Sequence, residues 1–383
     1  LKRALIITSV ASMIYQFNKE NIKILIELGY DVVVATNFLE PGNLSSEDVN
    51  NLIAWLEDNN VGIEQLDFQR SPFGKKNLTT YRKIKKLINK NQFNLIHCQS
   101  PIGGVLTRIA ARKLRKNGTK IIYTAHGFHF FEGAPKKNWM IYFPIEKFLS
   151  RWTDILITIN KEDFSRAKQY FIHPIVKYIP GVGLDTSKFK SEEINVNTSS
   201  KINLISIGEL NENKNHEIVI RALKKINDPN IQYSIIGLGE KKYELLNLVT
   251  KLNLQNTVFL LGYKHNVRDY LIQSDAFVFP SLREGLGMAA LEAMASGTPI
   301  LTSKIHGIND YSEDGRTGFT FDPSDIDSVA RAIINFTRLS NSEVEAMKRF
   351  NIRKAEEFDK SVVNKKMFEI YKLGENNGFT EKN

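Results

Sequence analysis

The 383-residue chain holds one cysteine, Cys98, so it forms no internal disulfide, a usage that fits a reducing compartment. No apolar run approaches the length of a membrane-spanning helix, so nothing in the sequence is expected to cross a bilayer. Residues 68–131 contain no carboxylate at all, against 14 basic side chains. Residues 1–200 carry 28 Lys and Arg against 18 Asp and Glu, whereas residues 201–383 carry 24 of each, so the formal charge of +10 is entirely N-terminal. A basic field this dense, thickest over 75–90 and 112–120, points to a polyanion unless it is simply a solvated face. Only Tyr81 interleaves with its densest part, which is poor equipment for stacking bases, so nucleic acid is not expected. An anionic membrane surface is the expected partner. Lys85, Lys86 and Lys90 would surround a helix whose Ile84, Leu87 and Ile88 face the core, making that attraction electrostatic.

The length exceeds one ordinary core and predicts two domains. Lys2-Arg3 followed by ALIITSVASM has the outline of a signal peptide, yet it runs into an amphipathic helix ending at Gly29 and a second strand, DVVVAT. That is a βαβ opening. NLIHC, KIIYTA and DILITI continue the alternation, which implies a parallel sheet covered by helices. Residues 190–200, polar and without apolar period, read as a linker, and INLISIG, QYSIIG, TVFLLG, AFVFP and TPILT begin a second set. The expectation is α/β: two Rossmann-like doubly wound domains, residues 1–190 and 200–357, with about 358–383 packing back on the first. The last helical pattern, about 342–372, breaks near Phe358-Asp359, and the tail GENNGFTEKN should fray.

The most informative stretch is EGLGMAALEAMASGTP, residues 284–299. Gly285 and Gly287 allow close approach of backbone to a ligand, and a helix from about Met288 to Ser296 would aim its amides and positive end at an anion, as a diphosphate requires. Glu284 and Glu292 would repel a diphosphate unless they accept hydrogen bonds from hydroxyls, and paired acceptor oxygens suit neighbouring sugar hydroxyls. The combination reads as a nucleotide-sugar site. The plain alternative is a closely packed helix stopped by Gly297 and Pro299, with Glu292 solvated. In such sheets ligands bind beyond strand carboxyl ends, which selects four more places. These are Gly208-Glu209-Leu210 with Lys214 in the following loop, Ala125-His126-Gly127, Gly237-Leu238-Gly239, and Ser9 to Met13. At the third of them Lys242 replaces the last glycine of a dinucleotide fingerprint, so a tight turn is expected there. All four would face one cleft.

With these residues the chain resembles the retaining glycosyltransferases of family 4, which have the two-Rossmann-domain, GT-B architecture. EGLGMAALEAMASGTP is similar to that family's E-x7-E motif, GELNENKN to its diphosphate loop and DGRTGFTFDPSD to its final-strand region. IHCQSPIGG, YTAHGFHFFEGAPKKNW and LITINKED resemble bacterial capsule and exopolysaccharide transferases. The resemblance implies transfer of a hexose or N-acetylhexosamine from a UDP-sugar to a lipid-linked sugar on a polyprenyl diphosphate, by a peripheral protein on the cytoplasmic face of the cell membrane. Glu292 would accept from the ribose hydroxyls, Glu284 would contact the donor hexose, and backbone amides of Gly285, Leu286, Gly287 and Met288 would hold diphosphate and sugar. Lys214 would stabilise the leaving diphosphate beside Gly208 and Glu209. His126 would hydrogen-bond the hexose, while Ser9, Ser12 and Met13 would lie on the acceptor side.

Two positions depart from the family pattern. Glu209 stands where an arginine often follows the loop glycine, leaving Lys214 alone or helped by Arg283 or Arg268. The first-strand loop, often a glycine pair, is here Ser9 to Met13. No cofactor or metal is expected, because Asp325-Ile326-Asp327 precedes an amphipathic helix and serves as its cap. The same architecture hosts nucleotide-sugar epimerases, which need no acceptor. A binding protein without chemistry would instead show salt-sensitive nucleic-acid affinity.

Overall fold

The computed structural model describes residues 1–69, 74–190 and 201–375. The chain divides into two compact units, Leu1–Gly183 with Ser361–Asn383, and Leu184–Lys360. All but Lys190 of the expected linker, and residues 376–383 of the expected frayed tail, lie outside the described residues.

The first unit is built on seven parallel strands: β1 (Lys2–Ile7), β2 (Tyr30–Thr36), β3 (Gly62–Gln65), β4 (Leu95–Gln99), β5 (Lys120–Ala125), β6 (Ile155–Thr158) and β7 (Ile175–Tyr178), in the order 3-2-1-4-5-6-7. The second has six, β8 (Ile202–Ile207), β9 (Ile231–Ile236), β10 (Val258–Gly262), β11 (Ala276–Phe279), β12 (Ile300–Ser303) and β13 (Gly318–Phe321), in the order 10-9-8-11-12-13. In each sheet the strand order, not the strand direction, reverses beside its first strand, where open α/β sheets bind ligands. The first unit's helices are α1 (Ala11–Phe17), α2 (Lys19–Glu27), α3 (Ser46–Asp58), α4 (Lys76–Lys90), α5 (Pro101–Ala111), α6 (Lys136–Ser150) and α7 (Lys161–Tyr170). Those of the second are α8 (His216–Ile226), α9 (Lys242–Lys251), α10 (Val267–Gln273), α11 (Met288–Ala295), α12 (Ile326–Thr337) and α13 (Asn341–Ala355), and α14 (Lys360–Glu375) then returns to the first.

That return has local causes. A single 3-10 turn at Glu356–Phe358 interrupts the helical pattern, and Leu184, where the chain enters the second unit, bonds Phe358 O through its amide and the amide of Lys360 through its carbonyl. Residues 184–190, which the sequence pattern assigns to the first domain, therefore fold with the second. α14 then buries Met367, Ile370 and Tyr371, and the Tyr371 hydroxyl meets His97 Nδ1 on β4 at 2.8 Å. Each sheet has its own core, with Leu5, Ile96 and Ile121 in one and Val219, Ile235 and Val278 in the other, and strands buried on both faces explain their near-continuous apolar runs.

The basic field is smaller at the surface than the sequence suggests. Arg108 is buried, its Nη2 at 2.9 Å from Glu146 Oε2 and its guanidinium 3.9 Å from the centre of the Tyr123 ring. Arg115 pairs with Asp154 and Lys83 with Asp67, so distant carboxylates neutralise part of a segment that has none of its own. On α4 the expectation holds: Ile84, Leu87 and Ile88 are buried, and Lys85, Lys86 and Lys90 are exposed.

Candidate functional site

In the second unit β11 ends at Phe279 and the glycine loop carries the chain into α11, whose N-cap is Gly287. Gly287 has φ +92°, and a Cβ there would lie 2.4 Å from Phe279 Cε1. The loop is braced from beneath: Tyr311 donates its hydroxyl to Leu286 O at 2.8 Å, and Gly307 N donates to Glu284 O at 3.3 Å. A Cβ on Gly307 would lie only 1.9 Å from Gly285 O, so glycine is needed at that contact. Gly287→Ala is expected to cost about 2–4 kcal/mol of stability, from the left-handed backbone and the methyl group forced onto a buried ring. Urea denaturation with the midpoint lowered at constant slope would show it.

Lys214 comes to this loop from the other side. Nζ donates to Glu284 Oε1 at 2.6 Å and stands 4.8 Å from the centre of the Phe279 ring. Its aliphatic stem passes Gly208, where a Cβ would sit 3.4 Å from Cδ. Two further bonds tie the loops together, Leu282 N to Asn213 O at 2.8 Å and Asn213 Nδ2 to Arg283 O at 3.0 Å. The Gly237 turn supports the same loop. A Cβ on Gly237 would fall 1.9 Å from Gly208 O and one on Gly239 2.4 Å from Leu210 O, so both glycines serve close backbone contact.

Glu292 lies one and a half turns into α11. It is half-buried, and among the described residues its carboxyl has no hydrogen-bonding or ionic partner, so partial burial pushes its pKa up to about 7. A carboxyl held this way waits for donors. Glu209 is exposed and accepts from Asn211 Nδ2 at 3.0 Å. Of the two arginines considered as helpers of Lys214, Arg268 donates to Lys190 O at 2.8 Å, whereas Arg283 is exposed with no side-chain partner among the described residues. Asp325 caps α12 by accepting from Asp327 N at 2.9 Å, and Asp327 pairs with Lys225, so both serve the helix start.

In the first unit His126 follows β5. Its Nε2 meets Gln99 Oε1 at 2.8 Å, Gln99 Nε2 donates to Asn18 Oδ1, and Asn18 Nδ2 donates to Met13 O at 2.8 Å. The amide chain makes Gln99 Oε1 the acceptor, so His126 carries its proton on Nε2 and keeps the Nδ1 lone pair. Burial lowers its pKa to about 4, leaving a neutral ring at physiological pH. The sequence reading missed Gln99 and Asn18, because nothing in their spacing links an amide at a helix junction to one at a strand end. Of the acceptor-side residues, Ser9 lines a cavity of about 430 Å³ with Val10, Pro41 and Phe68. Ser12 is buried beneath Gly42, and Met13 contributes its carbonyl to Asn18.

Residues 187–355 match the family model described as glycosyl transferases group 1, and residues 7–160 match the glycosyl transferase 4-like model. EpsD of Bacillus subtilis (strain 168), which carries a provisional glycosyltransferase name, is 38% identical over 281 residues, 70% of this chain and 74% of that protein. An Escherichia coli protein named UDP-Gal:alpha-D-GlcNAc-diphosphoundecaprenol alpha-1,3-galactosyltransferase is 31% identical over 278 residues, 68% of this chain and 71% of that one. Among solved structures, Anabaena Alr3699/HepE in complex with UDP superposes with a TM-score of 0.73 at 19% identity, covering 97% of this chain and all of that one, a likeness of fold.

Proposed function

The chain belongs to the group 1 glycosyltransferases, and from that premise we propose that it moves a hexose or N-acetylhexosamine from a UDP-sugar to a sugar carried on a polyprenyl diphosphate, in capsular or exopolysaccharide assembly. The observation that carries the reading is Glu292, a half-buried carboxyl without a partner among the described residues, on the helix that leaves the glycine loop. Ribose hydroxyls supply the donors it lacks. The UDP-galactose donor and diphosphoundecaprenol acceptor in the name of the Escherichia coli relative support the two substrate classes.

In this reading the diphosphate sits against the first-turn amides of α11, whose dipole favours it. Lys214 leaves Glu284 for a phosphate oxygen, and Glu284, released, accepts from a hexose hydroxyl. No metal ion takes part; the lysine and helix end oppose the charge that grows as the glycosidic C–O bond breaks. His126, neutral and with Nδ1 free to accept, suits binding of a sugar hydroxyl rather than removal of a proton. Configuration is retained: the acceptor oxygen bonds C1 from the face the diphosphate leaves, and the departing phosphate oxygen takes the acceptor proton. The protein works on the cytoplasmic face of the membrane, held to anionic lipid by its N-terminal half, without nucleic acid.

The test is to incubate purified protein with a panel of labelled UDP-sugars and polyprenyl-diphosphate-linked sugars and to follow label into the organic phase. One sugar's label entering lipid as the same anomer is expected. Label confined to water, with the UDP-sugar interconverted in the absence of acceptor, would replace transfer by isomerisation.

A further inference from the structure

Helix α6 is apolar on two sides, and among the described residues only one of them is covered. Its inward side packs on the core of the first unit: Leu149 is buried, and Trp139 and Phe143 stand 5.7 and 5.3 Å from Phe130, ring centre to ring centre. The other side carries Met140, Ile141, Ile145 and Phe148, exposed to 77%, 53%, 41% and 48%. At 100° per residue these four and Pro144 fall within one arc of about 140°. Four large apolar side chains on one helix exceed the scattered singles that a soluble surface normally shows.

The exposed charges that α6 and Arg151 place around that arc are all of one sign. Lys136 and Lys147 lie at its edge, Lys137 and Arg151 within it, and all four are exposed. The helix has one carboxylate, Glu146, which points inward to Arg108. Arg151 stands over the Phe148 ring at 4.3 Å, and Arg112 over the neighbouring Trp152 ring at 5.6 Å, so basic groups border the aromatic ones. An apolar strip whose own helix frames it with exposed cations and no exposed carboxylate fits a surface that offers both hydrocarbon and negative charge. A protein partner or a second copy of this chain would have to bury those cations against carboxylates, and a copy of the same face brings none.

We propose that the outward face of α6 enters the headgroup and upper acyl region of an anionic bilayer, making the attachment hydrophobic as well as electrostatic. The inference rests on the proposed reading for its setting, since a lipid-borne acceptor gives the enzyme reason to stay at the bilayer. α6 belongs to the same connection between β5 and β6 as His126, so this attachment fixes the element next to the site residue in depth and tilt. Basic residues on α4 add long-range attraction that salt screens; the α6 face adds a part that salt does not remove.

The test is flotation of the full chain with vesicles of phosphatidylcholine and phosphatidylglycerol, 3:1, against phosphatidylcholine alone, without any sugar substrate. Binding to the anionic vesicles that survives high salt in part is expected. The triple variant Ile141→Ser, Ile145→Ser, Phe148→Ser should lose roughly tenfold or more of it. The variant Lys85→Glu, Lys86→Glu, Lys90→Glu should lose mainly the salt-sensitive part. An environment-sensitive fluorophore on Ile145→Cys, the native Cys98 being buried, should shift to the blue on the vesicles and be quenched by lipids brominated near the headgroup. Unchanged flotation of the triple variant, a label that stays in water, or dimerisation through this face with vesicle binding intact would each overturn the proposal. Because transfer to a detergent-dispersed acceptor reads the chemistry separately, loss of that activity in wild type would count against the reaction and not against this surface.

Discussion

Glu292→Gln is expected to give a protein more stable than wild type at pH 8 and at least a hundredfold poorer in kcat/KM. The two effects have one cause. The carboxyl is raised from 4.5 to about 7 by burial alone, so the free protein is destabilised whenever the group must ionise inside it. Below pH 4.5 both folded and unfolded chains hold the proton and there is no penalty. Between pH 4.5 and 7 the unfolded chain ionises while the folded one does not, and stability falls with rising pH; above pH 7 the loss is complete, at most about 3 kcal/mol. Glutamine is neutral throughout, so its advantage appears over that same window and is flat above it. Ribose hydroxyls reverse the balance, because hydrogen bonds to a charged acceptor contribute about 1.5–3 kcal/mol each and two of them account for the activity lost. Since the nucleotide is held alike in ground and transition states, most of the loss should fall in KM. Thermal melts at pH 5 and pH 8, with and without UDP, check it. A variant melting no higher than wild type at pH 8, or one with unchanged kcat/KM, would remove Glu292 from the site.

The parts of this site legible in the sequence were those set by adjacent residues. EGLG followed by an alanine-rich helix announces its conformation, because left-handed backbone at Gly287 and a helix start directly after it are local facts. The apolar runs that became strands, and the break at Phe358, were legible for the same reason. What stayed hidden was pairing across the chain. Nothing near Lys214 says that its ammonium lies on Glu284, 70 residues on, or that Gly307 is small because Gly285 O passes over it. The basic count over 68–131 misled in the same way: Arg108 looks like surface charge until the fold brings Glu146 to it. The exposed side of α6 was hidden too, since its apolar residues resemble core until both of its faces are compared.

Lys214→Met is expected to lower kcat by about a hundred- to a thousandfold, the loss found when a preorganised charge at a developing anion is removed. The free structure sets up a sharper expectation. Lys214 and Glu284 are half-buried partners at 2.6 Å, so each single substitution strands the other charge, and in the folding equilibrium their coupling should be about 1 kcal/mol. In turnover the proposed roles separate them, the lysine on a phosphate oxygen and the carboxylate on a hexose hydroxyl. A cycle of Lys214→Met, Glu284→Gln and the double variant should therefore be nearly additive in log kcat while remaining non-additive in stability. If the pair survived unbroken through the reaction, either single change would cost as much as both, and Lys214 would be a support for Glu284 instead of a charge on the leaving group. Arg283, exposed beside Glu284 and without a side-chain partner among the described residues, is the competitor for that charge. Should Arg283→Ala lose more kcat than Lys214→Met, the leaving diphosphate is held from the glycine-loop side, and the position vacated by arginine at Glu209 has been filled from there.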